Sequence, residues 1–310
     1  MGGHGIDALV ANGEKTRAAI AAQPDWLRAV PTDRRLPAGA RVLHTGCGTS
    51  FHAAQTGGEA VQALELVLRP ERDADLLVVV SHEGETPLSL EAAQAFRGQT
   101  WLVTGKADSP LGGLCDEVVV CTLELEESWC HTASYTCAVA ALAALRGEDI
   151  SWLPDAVTKA LATRLPVTEH ERIMVVGAGR DWPTAQEAVL KIREGSHLPA
   201  AAHETEQLLH GHLAAVDERV RAFVLEGEGR AAERARDAVA ALQVLGCETT
   251  IIPTVHPVVD IVRFQLLTVD LAEKRGVDPD AIHRDDPRWQ RAAAAHGSTD
   301  VRPSAKASGT

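Results

Sequence analysis

Short apolar runs alternate with longer amphipathic stretches along most of the chain. Runs such as "ARVLHTG" (40–46), "DLLVVVS" (75–81), "TWLVTG" (100–105) and "DEVVVCTL" (116–123) have the length and branching of buried strands. Between them lie helical patterns at about 50–64 and at 87–96. A further short apolar piece, "LELVL" (64–68), is expected as an additional strand. Residues 132–145, "TASYTCAVAALAAL", are apolar all round and predict a fully buried helix. Residues 6–29 predict an opening helix interrupted at Pro24.

A second cycle follows. Helices are expected at 152–165, 184–198 and 231–246, and strands at 172–179, 220–229 and 248–254. The last helix, 258–276, should stop at Gly276. Strands alternating with helices predict an α/β fold, with mostly parallel sheets flanked by helices. The alternation occurs twice, and each half opens with a strand, a glycine turn and a helix: "VLHTGCGTS" and "IMVVGAGRD". Ligands in such sheets sit at the carboxyl ends of strands, which points to both glycine turns and to "SHEGET" (81–86).

Composition narrows the function classes. The 310 residues are 45% hydrophobic and 24% charged, with a net charge of −13. An acidic chain argues against nucleic-acid binding, which needs a basic face. No apolar run reaches membrane-span length and the amino terminus shows no signal pattern, so a cytoplasmic protein is expected. The six cysteines form no CxxC pair and read as buried thiols, Cys47 included. No histidine spacing supports a metal site, and no cofactor motif is present.

Three segments carry candidate chemistry. In "CGTS", Thr49 and Ser50 stand where a helix begins, and unpaired N–H groups there favour an anion. In "SHEGET", Ser81 and Thr86 add hydroxyls, and the two turns together are able to surround one phosphate. Glu83 conflicts with this. Two charges ~4 Å apart at an effective dielectric of ~20 interact by about 4 kcal/mol, so an ionised Glu83 needs a compensating cation such as a protonated His82. On the helix after the second glycine turn, Glu187, Lys191 and Glu194 share one face. That spacing also suits a solvated salt-bridge stripe. Lysine is scarce here, six of thirty basic residues, which favours a chosen Lys191. A carboxylate beside a cation and partly desolvated is a base for proton transfer next to a carbonyl.

These residues carry a family resemblance. "GCGTSFHAA", "SHEGETPLSLEAA", "CHTASYTCAVAAL", "GAGRDWPTAQEAVLKIREGSHLPAAAHETEQLLHGHLAAVD" and "FQLLTVDLAEKRGVDPD" occur in order. From about residue 6 to 287 the chain resembles double sugar-isomerase (SIS) domain proteins, in particular the isomerase half of glucosamine-6-phosphate synthase and stand-alone isomerase, deglycase and deaminase relatives. The resemblance implies an N-terminal helical segment (1–39) and two SIS subdomains (40–150 and 151–287), each a flavodoxin-like three-layer sandwich. A flexible tail (288–310) would follow. It implies Thr49, Ser50, Ser81, His82, Glu83 and Thr86 as phosphate-turn positions, and Glu187, Trp129 and His131 near the sugar. Glu194 becomes the catalytic base, Lys191 its neighbour, and His210 a ring-opening histidine supplied by the other subunit of a homodimer. The expected partner is a small sugar or sugar phosphate, with no cofactor, metal, nucleic acid or membrane.

Several positions depart from the family pattern. Glu83 replaces a serine, and Trp129 to Ala133 replace the usual Val-Ala-Ser-Thr-Lys. Gln207 stands where an acidic residue is usual, and the arm after Lys274 lacks the Schiff-base lysine. The stretch between the first two motifs is short, suggesting a trimmed first half. No glutaminase domain precedes the motifs and position 2 is not cysteine, so glutamine hydrolysis is not expected. Three answers to Glu83 stay open: it points away from a bound phosphate, the substrate carries none, or the site is vestigial. The leading expectation is an aldose–ketose or amino-sugar isomerase. The alternatives are a fructosamine deglycase or amino-sugar deaminase, and a non-catalytic sugar-binding protein.

Overall fold

The computed structural model describes residues 13–296. Helix α1 (Glu14–Arg28) leads into β1 (Val42–Thr45), α2 (Thr49–Gly57), α3 (Ala63–Leu68) and β2 (Leu76–Val80). Then come α4 (Pro87–Ala95), β3 (Gln99–Thr104), β4 (Glu117–Val120) and α5 (Ala133–Leu145). The second half runs α6 (Leu153–Ala160), β5 (Arg172–Gly177), α7 (Trp182–Ser196), β6 (Ala200–Glu204), α8 (Thr205–Leu209), β7 (Val220–Leu225), α9 (Arg230–Val244) and β8 (Glu248–Ile252). Helices α10 (Pro257–Arg275) and α11 (Pro287–Ala295) close the chain. None of the described helices is long and apolar enough to cross a membrane.

Two parallel four-stranded sheets result, ordered β1-β2-β3-β4 and β6-β5-β7-β8. The expected α/β class with flanking helices is therefore present. A parallel bridge from His44 to Ala60 adds a single residue beside β1, in the place β6 takes beside β5. In both halves the chain leaves the first strand, touches one side of it, then crosses to the other. Such a switch opens a crevice at the strand carboxyl ends. In the first half that bridge alone stands in the flanking position, within the short stretch between the first two motifs.

One apolar core joins the halves. It takes the inner faces of both sheets (Val78, Val103, Val175, Phe223) and helices α1, α5, α7 and α10. Separate clusters lie beneath α3 and α4 on one side and beneath α8 and α9 on the other. Every residue of α5 is buried, as its all-apolar pattern predicts. Gly276 ends α10 in the left-handed conformation, as expected for a helix stop.

Four expectations need correction. The strand expected at 64–68 is helix α3, which buries Ala63 and Leu66 one turn apart. Strand β6, with the sequence AAAHE, was not anticipated. Pro24 does not interrupt α1: the Gln23 amide donates to the Ile20 carbonyl that proline leaves without its helical partner, and also to Gln265 Oε1 at 2.8 Å. The segment expected as a tail begins as helix α11; residues 297–310 and the 6–12 portion of the opening helix lie outside the described residues.

Candidate active site

The glycine turn "CGTS" enters α2, and "SHEGET" enters α4, both at carboxyl ends of adjacent strands. Gly84 makes the second turn possible. Its φ is +69°, and a Cβ there would lie 2.1 Å from Ser109 Oγ. Neither helix has a side-chain cap bond at its amino end. Cys47, Thr49, Ser50, Ser81, His82, Glu83, Glu85, Thr86, Trp129, His131, Glu194, Ile282 and Arg284 line one cleft of about 190 Å³. Most of the sequence-derived candidates thus meet around a single space.

The carboxylate–lysine face of α7 is buried, so it is not a solvated stripe. Lys191 Nζ donates to Glu194 Oε2 at 2.6 Å and lies 3.5 Å from Glu187 Oε1. Helix α2 of the other half packs over it. Thr49 Oγ1 donates to Glu187 Oε1 at 3.2 Å, and His52 Nδ1 sits 2.8 Å from Glu187 Oε2. The side chains of Glu187 and Lys191 are 0% and 1% exposed, whereas Glu194 keeps 25% exposure and faces the cleft. Burial raises the Glu194 carboxyl above its ordinary range, and Lys191 offsets this only in part. Burial alone would lower the Lys191 ammonium, but Glu194 and Glu187 outweigh it and the net shift is upward. The arrangement is a fixed cation under a mostly covered carboxylate, which suits a base that must be ionised yet still accept a proton.

Several assignments change. Glu187 has no surface and cannot touch a substrate; it positions Lys191, Thr49 and His52. Thr49 turns its hydroxyl proton to Glu187, away from the role of anion donor. His82 Nε2 accepts the Glu126 backbone N–H at 3.1 Å, so that nitrogen carries no proton. A protonated His82 is therefore not the cation beside Glu83. His210 stands at the end of α8, 77% exposed and within 3.3 Å of Glu206, and does not line its own chain's cleft. Cys47 lies in the wall 3.8 Å from Ser89, and burial pushes its thiol up, which makes it a poor nucleophile. Among the described residues no group of three or more metal-type ligands is placed to hold an ion.

Sequence reasoning missed His52 and Arg284. His52 follows Thr49 by three positions and shares its inward face of α2, a signal the helical period carries. Arg284 is an arm residue whose guanidinium lies 3.6 Å from the Trp129 ring centroid. Glu126 also escaped notice. Its buried carboxylate accepts the backbone N–H and hydroxyl of both Thr132 and Ser134, closing the start of α5 beside the cleft.

Residues 167–278 match the SIS domain family model. The chain is 28% identical over 304 residues to a glutamine–fructose-6-phosphate aminotransferase (isomerizing) of Gloeobacter violaceus, covering 77% of this chain and 50% of that protein. It is 30% identical to the Aeropyrum pernix protein of the same name, covering 86% and 53%. The chain thus spans about half the length of these relatives. The fold is similar to that of glucosamine-6-phosphate deaminase from Thermotoga maritima, with a TM-score of 0.70, 20% identity and coverage of 86% and 97%. It is likewise similar to tagatose-6-phosphate ketose/aldose isomerase from Escherichia coli, with a TM-score of 0.71, 18% identity and coverage of 87% and 95%.

Proposed function

We propose that residues 40–150 form a second SIS-type subdomain and that the cleft between the halves catalyses proton transfer on a sugar, in the manner of an aldose–ketose isomerase. The observation that carries this is the buried Glu187–Lys191–Glu194 face, with only Glu194 opening into the cleft. Relatives and fold neighbours that act on phosphosugars and amino sugars support the substrate class.

Glu194 removes the proton from the carbon next to the open-chain carbonyl, leaving an enediolate; the hydroxyl proton of that carbon passes to the former carbonyl oxygen, and Glu194 returns its own proton to the former carbonyl carbon. Lys191 holds Oε2, so Oε1 carries the proton. The raised Glu194 carboxyl brings its basicity nearer to the task than an ordinary glutamate. His210, exposed on its own chain, completes the site of a second copy in a homodimer and assists ring opening. Ser50, Ser81 and Thr86 hold the far end of the sugar, and Trp129 and His131 border it. Glu83 favours a second reading, in which its carboxylate meets an amine and the reaction ends in deamination or deglycation.

The test is incubation in D₂O with paired phosphorylated and free sugars and amino sugars, following hydrogens at C1 and C2 by NMR. Exchange on one pair supports the reading. Binding without exchange on any member would leave a sugar-binding protein, and release of ammonia or an amino acid would select the second reading.

A further inference from the structure

The cleft holds a charge that proton transfer does not use. Three carboxylates line it: Glu83, Glu85 and Glu194. Glu194 has Lys191, and Glu85 has Lys106 at 2.8 Å, whose charge Glu83 also feels from farther off. His82 is excluded as a cation by the N–H it accepts. Among the described residues lining the cleft, Arg284 is the single lysine or arginine.

Arg284 is held in place with unusual care. The preceding Ile282 and His283 have φ values of +42° and +63°, a left-handed pair without glycine. For a β-branched residue this is strained backbone, kept only where surrounding contacts over-determine it. Those contacts are present. His283 stacks on His197 with centroids 3.5 Å apart, and on Trp289 at 4.2 Å. His197 is the residue that ends α7, three positions beyond Glu194. The Asp280 carbonyl accepts the Trp129 N–H at 3.1 Å, and its carboxylate takes Lys15 N, Thr16 N and Thr16 Oγ1. The arm is thereby pinned to α1, to Trp129 and to the helix bearing Glu194.

The Arg284 guanidinium lies over the indole, and its N–H groups spread in the guanidinium's own plane. Such a group is able to serve two acceptors on different edges. We propose that Arg284 is the specificity-determining cation of this cleft: it offsets Glu83 and donates to an oxyanion of the substrate, so that a phosphate monoester binds beside a carboxylate. The arm then supplies through an arginine what a turn hydroxyl would otherwise give. This rests on the reading of the cleft as a phosphosugar site.

The experiment measures binding of inorganic phosphate and of paired phosphorylated and free sugars by calorimetry. The proteins are the wild type, Arg284→Met, Arg284→Lys, Glu83→Ser and the Glu83→Ser/Arg284→Met double variant. Thermal melts check folding, and Arg284→Lys keeps the charge should the methionine variant unfold. Arg284→Met should weaken phosphate and sugar-phosphate binding about tenfold to a hundredfold, the range for a lost charge-assisted hydrogen bond, and leave free sugars unchanged. Arg284→Lys should fall between. Glu83→Ser should tighten phosphate binding and restore most of it in the double variant. Equal weakening of phosphorylated and free sugars would overturn the proposal, as would no phosphate binding by the wild type or no gain from Glu83→Ser. Deuterium exchange is scored separately, so a phosphate-binding protein without exchange would retain Arg284's role and lose Glu194's.

Discussion

Replacing Lys191 by methionine removes the cation on which the site is built. The ammonium lies 2.6 Å from Glu194 and 3.5 Å from Glu187, with 1% of its side chain exposed. At an effective dielectric of about 20, one such attraction is worth about 4 kcal/mol, equivalent to about three pKa units. Glu194 is already raised by burial despite Lys191, so its titration should move further up in Lys191→Met. Breaking a buried pair by removing one partner should also cost about 3–5 kcal/mol of stability.

The sign of the pH dependence follows from the same shift. A carboxyl whose folded pKa exceeds its unfolded value stabilises the fold at low pH, and that contribution is lost as pH rises through the folded pKa. The Lys191→Met deficit should therefore be smallest in acid, where both carboxyls are protonated, and grow toward neutral pH. The assay needs no substrate: carbon-detected NMR of glutamate-labelled protein follows the side-chain carboxyls, with Glu194→Gln assigning the resonance, and urea unfolding gives stability. Adding Glu187→Gln should recover part of the lost stability by neutralising one stranded carboxylate. A Glu194 midpoint that stays put or falls in Lys191→Met would refute the electrostatic account of the base.

Other residues give independent tests. Gly195→Ala should cost about 1–3 kcal/mol in thermal or urea unfolding, because its Cβ would lie 2.4 Å from Thr268 Cγ2 where α7 meets α10. Asp260, beside Asp181 and paired with Arg263, is raised from 3.8 to about 6 by burial. Its contribution is full below about pH 4 and lost through about pH 6, so wild type should lose about 3 kcal/mol relative to Asp260→Asn across that window in urea melts. Glu194→Gln should lower C1/C2 exchange at least about a hundredfold. If His210 serves the partner's site, mixing inactive Glu194→Gln and His210→Ala homodimers through subunit exchange should return about a quarter of wild-type exchange, since half the dimers then hold one intact site.

The strands were legible because parallel sheets bury both faces: β2 is LLVVV, every residue covered, and no helix period competes with it. Where that signal fades, so does the reading. β6 is AAAHE, only partly buried, and its place is set by backbone pairing to β5 and by little in its side chains. LELVL alternates like a strand, yet the edge beside β1 is already met at Ala60, so the chain coils before crossing to β2. The site divides in the same way. The spacing of Glu187, Lys191 and Glu194 put them on one face, but the same spacing describes a wet stripe and a buried triad. What separates the two is α2, whose Thr49 and His52 reach Glu187 across 138 and 135 residues of sequence. The arm behaves alike: its missing lysine was visible, whereas Arg284 acquires meaning only when the chain turns back to lay it on Trp129. The candidate site therefore lies along the seam between the two halves. Variants that loosen the seam, such as His52→Ala, should move the Glu194 titration without touching the cleft wall, and a Glu194 midpoint unchanged in His52→Ala would show that α7 alone sets the base.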